Sequence, residues 1–327
     1  MESHLERLID KSVFAPFSAQ DVVFARVRND PDALFYGKNI HDAVPAILTQ
    51  NRDGYSRVEY ARSRAAWAVH DRLSVIFSKE RSHAEERDSR NIFEKHEVQD
   101  PADMSCSIKE AARLYGASLV GIAELDRRWL YTHRRDGSAV SIAPQYKNAI
   151  VMATAMDTGV IRKSPTFAAA GAVGAGYSRM AFLICCVAEF IQSLGYSAIP
   201  MANESALSIP MAIQAGLGQL GRNGLLLTDR FGACVRLCKV VTDLPLQPDQ
   251  PSEPALQEQC KSCRICCEAC EPRAISSERE PSLETVSKSN SKGILRWTVN
   301  PELCYGFWVK NGDDCSNCIA RCPLTPR

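Results

Sequence analysis

The sequence predicts an α/β layered domain followed by a smaller, cysteine-bearing module. Three observations carry that reading. Short apolar runs alternate with longer helical patterns across residues 104–245, as strands layered against helices do. Residues 247–258 are rich in Pro, Gln and Glu and read as a linker. Beyond them, cysteines fall into two spaced runs between Cys260 and Cys322.

Composition sets the bounds. The chain has 327 residues, 45% hydrophobic and 24% charged, an ordinary globular mix with room for one large domain or two modest ones. A net charge of +1 gives no support for a nucleic-acid-binding surface. The best apolar run, Met180 to Ile191, falls short of the roughly 18 residues a membrane helix needs and is interrupted by Glu189. The N-terminal stretch MESHLERLIDKS carries acids and no apolar core, unlike a secretory signal, so the expected compartment is the cytoplasm. In that setting 14 cysteines point to metal binding rather than disulfides.

Residues 1–100 are charge-rich and read as a wrapping arm. It holds a turn at Asn51–Gly54, a helix over Tyr60–Phe77 with Trp67 and Val69 among its apolar positions, and a solvated charge run over Ser78–Arg90. Residues 101–246 form the α/β domain. Its first helix, Met104–Tyr115, stops at Gly116, and apolar strands follow at Ser118–Ala123 and Ala149–Thr154. A Gly/Ala-rich loop, Ala168–Gly176, leads into Tyr177, and an apolar helix runs over Ser178–Leu194 until Gly195. A strand at Ser197–Pro200, a helix at Ala206–Ala215 and strands at Leu225–Thr228 and Ala233–Thr242 complete the pattern. Residues 247–327 hold the linker, the cysteine runs and, between the runs, a polar surface loop over Ser276–Lys292.

The first run is Cys260-x2-Cys263-x2-Cys266-x3-Cys270, and the second is Cys304-x10-Cys315-x2-Cys318-x3-Cys322-Pro323. Such spacings let successive thiolates curl round one cubane while the trailing cysteine reaches across to the other cluster. That rule assigns Cys260, Cys263, Cys266 and Cys322 to one [4Fe–4S] cluster, and Cys304, Cys315, Cys318 and Cys270 to another. CxxC pairs taken singly would suit structural zinc; an x2-x2-x3 run with a matching second run does not. Glu271 separates Cys270 from Pro272, a small departure from the pattern. Cys267 reads as a buried spare thiol or an alternative ligand, the former preferred, and Cys106, Cys185, Cys186, Cys234 and Cys238 read as core.

Gly216-Leu-Gly-Gln-Leu-Gly221 matches the dinucleotide fingerprint GxGxxG in letters. That fingerprint needs a strand before it and a helix after it, and here the expected order is inverted, so dinucleotide binding is rejected. Gly216, Gly218, Gly221 and the Asn223-Gly224 turn instead mark close backbone approach, either to a flat cofactor or within a plain loop.

Several segments together resemble the catalytic subunit of corrinoid-dependent reductive dehalogenases. They are Gly176-Tyr-Ser-Arg-Met180, Leu194-Gly-Tyr-Ser-Ala-Ile-Pro200, Ala206-Leu-Ser-Ile-Pro210, Ala215-Gly-Leu-Gly-Gln-Leu-Gly-Arg-Asn-Gly-Leu-Leu227, Val235-Arg-Leu-Cys-Lys-Val240, both cysteine runs and Cys304-Tyr-Gly-Phe-Trp308, covering roughly residues 98–323. The resemblance implies a nitroreductase-like, cobalamin-binding α/β domain beside a bacterial-ferredoxin-like two-cluster module. It implies a base-off corrinoid, in keeping with the absence of an Asp-x-His-x-x-Gly motif and of any histidine after His133. Residue by residue, Tyr177 matches the family's proton-donor tyrosine, Arg236 the basic residue beside it, and Asn203 the asparagine that orients tyrosine or substrate. A guanidinium beside a phenol stabilises the phenolate left after proton transfer. Gly216, Gly218, Gly221 and Asn223 are the expected cofactor contacts, and Trp308, next to the second cluster, is expected either to line the substrate pocket or to pack as core.

The family's exported members carry a twin-arginine signal and a membrane partner; Arg134-Arg135 lies deep in the chain and reads as surface charge, so the resemblance is to the cytoplasmic branch. Family members usually continue past the last cysteine into a tail that helps close the cofactor pocket, whereas this sequence ends at Arg327. The implied substrate is an organohalide. No flavin or nicotinamide module is read, so a separate donor of ferredoxin or flavodoxin type is expected. Two other readings stand beside this one. Epoxyqueuosine reductase, a related corrinoid and iron–sulfur enzyme, would want an aspartate where Tyr177 stands. A non-catalytic electron carrier would keep the clusters alone.

Overall fold

The fold is that of a computed structural model that describes residues 3–78, 94–202, 206–251 and 255–327. Most of the charge run expected over Ser78–Arg90, and Asn203, lie outside these residues. The N-terminal arm carries α1 (His4–Arg7), α2 (Val23–Asn29), α3 (Val44–Leu48), α4 (Arg57–Ala66) and α5 (Ala68–Ser78). A capping box starts α4, with Ser56 Oγ accepting from the Glu59 N–H and the Glu59 carboxylate accepting from the Ser56 N–H.

The single helix expected over Tyr60–Phe77 is broken at Trp67, and Ser178 supplies the reason. Its hydroxyl donates to the Ala66 carbonyl at 2.6 Å and accepts from the His70 N–H at 3.2 Å. Those two groups would bond each other in an unbroken helix. An inserted hydroxyl is one of the few devices that interrupt an i→i−4 ladder.

Next come α6 (Pro101–Leu114), β1 (Leu119–Glu124), β2 (Asn148–Ala155), α7 (Thr158–Ile161) and α8 (Phe167–Ser193). Asp100 caps α6 by accepting from Ala102 N–H, Pro101 occupies its first turn, and Gly116 ends it with φ 103°. The Gly/Ala-rich stretch at 168–176 is not the expected loop. It forms the first part of α8, with Tyr177 in mid-helix. Its small residues are a packing surface: α4 lies close along it, so that a Cβ on Gly171 would reach Ser63 Cα at 3.4 Å. Tertiary contact here overrides the poor helix propensity of glycine. The longer helix also passes, by length and composition, as a membrane span, which the shorter apolar run did not; 56% of its most apolar window is buried inside the fold.

The chain continues with β3 (Ala198–Met201), α9 (Ser208–Gln214), β4 (Gln219–Leu220), β5 (Leu226–Leu227) and β6 (Val235–Thr242). Four strands make one antiparallel sheet in the order β1-β2-β6-β3. Alternation along β2 splits its side chains between two layers. Ile150 and Met152 meet Leu183, Ile184 and Val187 of α8 with Ile108 of α6. Ala149 and Val151 meet Met211 and Ile213 of α9, together with Leu5 and Leu8 from the arm. Both faces are therefore covered, which accounts for the almost unbroken apolar composition of β2.

The expected linker is partly structured. Asp249 donates its N–H to the Ile122 carbonyl at 2.8 Å, and its carboxylate accepts from the Ile122 N–H at 2.8 Å, which covers the β1 edge. The module follows as α10 (Ala255–Ser262), α11 (Ile265–Glu268), α12 (Pro301–Asn311) and α13 (Asn317–Ala320). The arm grips this module too: Arg26, buried, pairs with Glu302 of α12 at 2.5 Å, and Tyr55 donates to Asn311 Oδ1 at 2.7 Å.

Candidate functional site

Tyr177 projects from α8 into a small aromatic and cationic enclosure. Trp67 stacks on it, with ring centroids 4.8 Å apart and planes 24° apart. His70 meets it edge-on at 5.3 Å. Arg236, from β6, brings its guanidinium carbon over the ring at 5.1 Å from the centroid. Two glycines make room for these neighbours. A Cβ on Gly174 would fall 2.5–2.9 Å from the Trp67 indole, and one on Gly176 would fall 3.0 Å from Arg236 Cγ. Ser178, by breaking the α4–α5 ladder, fixes where Trp67 and His70 leave the arm.

Two of the three expected catalytic residues, Tyr177 and Arg236, are thus brought together. Arg236 Nε is buried and makes no hydrogen bond. Its charge acts on Asp314, whose buried carboxyl is pushed up to about 8, first by burial and then by Asp313, against the pull of Arg236. Asp313 accepts from Ser63 Oγ of α4 at 2.9 Å, so the acid pair that precedes Cys315 is tied to the arm as well. Trp308 lies on α12, its ring 5.7 Å from Phe24; its buried indole N–H also makes no hydrogen bond.

The thiols separate into two neighbourhoods. Cys260, Cys263, Cys266 and Cys322 face a common cavity of about 40 Å³, beside Arg222 and Pro323. Burial pushes the Cys266 thiol up to about 12, with further contributions from Cys260, Cys267, Cys322 and Cys263. Cys304 is likewise raised to about 12 by burial, then by Cys315 and Cys270. Cys318 stands well above its ordinary value, by burial first and then by Cys304, Cys315, Cys266 and Cys270. Cys322 thus lines the cavity of the first run, and Cys270 acts on Cys304 and Cys318 of the second. Among the described residues, no group of three or more His, Cys, Asp or Glu side chains is disposed to hold a single metal ion.

Main-chain N–H groups already point at some of these sulfurs. Ala274 donates to Cys270 Sγ at 3.3 Å and Asn317 to Cys315 Sγ at 3.4 Å. Cys267 is buried, and its own Sγ donates to the Arg264 carbonyl at 3.0 Å. One apolar cluster links thiols and tyrosine: Cys260, Cys318, Cys322, Trp67 and Tyr177 all pack against Met156, Val173, Leu227 and Ile319.

The glycine loop is an antiparallel hairpin, β4 to β5, entered from a helix, so the inverted order read from the sequence holds. Its glycines face the chain's own atoms. A Cβ on Gly216 would meet the Gln250 carbonyl at 2.5 Å, one on Gly218 would collide with the Leu227 carbonyl, and one on Gly221 would meet Leu227 and Asn223. Asn223 Oδ1 accepts from the Leu225 N–H at 3.2 Å and shapes the turn.

Sequence reasoning missed Trp67 and His70 as site residues, because no spacing links them to Tyr177. It also missed Arg222, which hides inside the glycine motif and which the hairpin carries into the first thiol neighbourhood.

No family model matches the chain. Tetrachloroethene reductive dehalogenase of Desulfitobacterium hafniense is 35% identical over 257 residues, which is 66% of this chain and 47% of that protein. The protein of the same name from Sulfurospirillum multivorans is 32% identical over 256 residues, 69% of this chain and 51% of that protein. The solved structure of the catabolic reductive dehalogenase NpRdhA with 3-bromo-4-hydroxybenzoic acid superposes with a TM-score of 0.64 at 25% identity, over 71% of this chain and 33% of that one. The chain spans about half the length of the curated relatives it matches. On this sequence likeness and shared fold, the chain belongs to the corrinoid reductive dehalogenase family.

Proposed function

We propose that this chain carries out reductive dehalogenation of an organohalide, with electrons passing through two [4Fe–4S] clusters. The observation that supports the proposal is the gathering of Cys260, Cys263, Cys266 and Cys322 at one cavity, with Cys260, Cys318 and Cys322 in the apolar cluster that also holds Tyr177, beside Arg236. The net reaction consumes two electrons and one proton, breaks the carbon–halogen bond, forms a carbon–hydrogen bond in its place and releases a halide ion.

The thiols fit the clusters in number, grouping and N–H···S contacts. Their burial raises them as thiols, so ligation releases protons as each sulfur takes up iron. In this reading residues 1–100 are the arm, 101–246 a nitroreductase-like cobalamin-binding domain, and 247–327 a ferredoxin-like module. Corrinoid binding rests on family membership. At Gly216, Gly218 and Gly221 the side-chain direction is filled by the chain's own atoms.

Proton delivery falls to Tyr177. Its ring is held between rigid neighbours, so the hydroxyl has one direction to face. Arg236, with a buried and unbonded Nε, stabilises the phenolate once the proton has gone. Asn203 is assigned to substrate orientation by the resemblance. Electrons come from a separate donor of ferredoxin or flavodoxin type.

The test is anaerobic reconstitution with iron, sulfide and a cobalamin, followed by EPR and a screen of aryl and alkyl halides. Two cluster signals, a base-off cobalt(II) signal and halide release are expected. Clusters without bound corrinoid would sink the dehalogenase reading and leave an electron carrier.

A further inference from the structure

Arg222 lies in the turn of the β4–β5 hairpin, 1% exposed. Its donors go to main-chain carbonyls. Nε reaches Cys260 at 3.1 Å and Cys263 at 3.0 Å, Nη2 reaches Cys260 at 2.7 Å, and Nη1 reaches Ser276 at 3.1 Å and Glu278 at 2.6 Å. The guanidinium carbon also lies 4.6 Å from the Trp297 ring centroid. These partners satisfy its hydrogen bonds and hold its plane, but they carry no formal charge.

Among the described residues, no carboxylate forms an ion pair with Arg222. A buried charge without a counter-charge is among the costliest features a fold can hold. Arg222 also lines the cavity faced by Cys260, Cys263, Cys266 and Cys322, and its guanidinium is held to that loop by the Cys260 and Cys263 carbonyls. Four thiolates around a cubane make a net anion, and one-electron reduction makes it more negative. The counter-charge that Arg222 lacks is the one this quartet acquires when it binds iron and sulfide.

We propose that Arg222 is the charge partner of the first cluster: it holds the Cys260–Cys263 loop by its carbonyls and raises that cluster's reduction potential. The inference rests on the proposed cluster reading and extends it to one residue. The sign follows from electrostatics, because a nearby cation favours the more negative, reduced form.

Redox titration of the reconstituted full chain, followed by EPR, tests it. The signal lost in Cys263→Ala identifies the first cluster. Arg222→Gln removes the charge and should move that cluster's midpoint to more negative potential, leaving the second cluster where it was. Arg222→Lys keeps the charge and should stay near the wild-type value. Equal midpoints in wild type and Arg222→Gln, or equal shifts in both variants, would overturn the proposal. Where Arg222→Gln takes up no first cluster, Arg222→Lys decides: a cluster at wild-type potential supports the charge role, and its absence reduces Arg222 to a clamp. A wild-type chain that takes up no clusters fails earlier, at the cluster reading itself.

Discussion

Replacing Gly174 by alanine should cost stability, although helix propensity alone would add it. Alanine is about 1 kcal/mol better than glycine inside a helix. At this position the new methyl would lie 2.5 Å from Trp67 Cδ1 and 2.6 Å from its Nε1, closer than real Cβ contacts come. The indole is rigid and wedged against Tyr177, so it must shift as a whole. Overpacking of this kind costs about 1–3 kcal/mol, and the lost stacking about 0.5–1.5 kcal/mol more. Set against the propensity gain, the net loss is about 0.5–3.5 kcal/mol. For 327 residues, unfolding entropy converts each kcal/mol into about 1.5 °C, so Tm should fall by about 1–5 °C. Gly171→Ala is the internal control, because its Cβ would meet Ser63 Cα at an ordinary 3.4 Å; Tm should hold or rise by about 1.5 °C. Thermal unfolding of both variants under identical conditions, with near-UV circular dichroism for the Trp67–Tyr177 pair, reads the difference. A Gly174→Ala protein as stable as Gly171→Ala, with its aromatic signal intact, would refute the claim that glycine admits Trp67 to the site.

Three further outcomes follow from the same geometry. Tyr177→Phe should keep both clusters and lower turnover by roughly 10²–10⁴-fold, the usual worth of a general acid; near-wild-type turnover would remove the tyrosine from the reaction. On the proposed assignment, in which the trailing cysteine of the first run serves the second cluster, Cys270→Ala should lose the same EPR signal as Cys315→Ala and about half the iron. Loss of the signal that Cys263→Ala loses would reverse that assignment. Glu302 links arm to module. Burial alone would raise its carboxyl, but hydrogen bonds from Ser287, the Leu34 N–H and Arg26 outweigh burial and hold it below the usual carboxylate range. Its contribution is therefore present above the unfolded value near pH 4.3 and is lost as pH falls through the lower folded value. Glu302→Gln should lose about 1.5–3 kcal/mol at neutral pH and show a flatter acid limb in denaturant titrations; an unchanged limb would exclude this pair as an acid-labile tie.

What the sequence disclosed, and what it withheld, divides by the range of the interaction. The strands at 119–124 and 148–155 were legible because burial on both sheet faces leaves a local apolar run. The helix stops at Gly116 and Gly195 were legible because each glycine takes a positive φ just past a helix end. The cysteine spacings were legible because ligands close in sequence must curl around one centre. The 168–176 stretch failed because Ala and Gly read as loop by propensity, while their actual role, letting α4, Trp67 and Arg236 approach, exists only in contact. The break at Trp67 failed for a similar reason: it depends on a hydroxyl more than a hundred residues away, at Ser178.

The arm and the site are therefore one physical unit, and this changes how the arm should be regarded. Read as sequence, residues 1–100 carry no chemistry of their own. In the fold they supply Trp67 and His70 to Tyr177, Ser63 to Asp313, and Arg26 to Glu302. Each contact joins the arm to a different part of the site: Tyr177, the acid pair before Cys315, and the helix that bears Cys304. Tyr177 takes its orientation from rings delivered by the arm, while Arg236 takes its own from β6. The proposed dehalogenation, which brings a proton and electrons to one carbon, would gain from fixing both supplies to a common frame. The arm is an element that touches three of its parts at once.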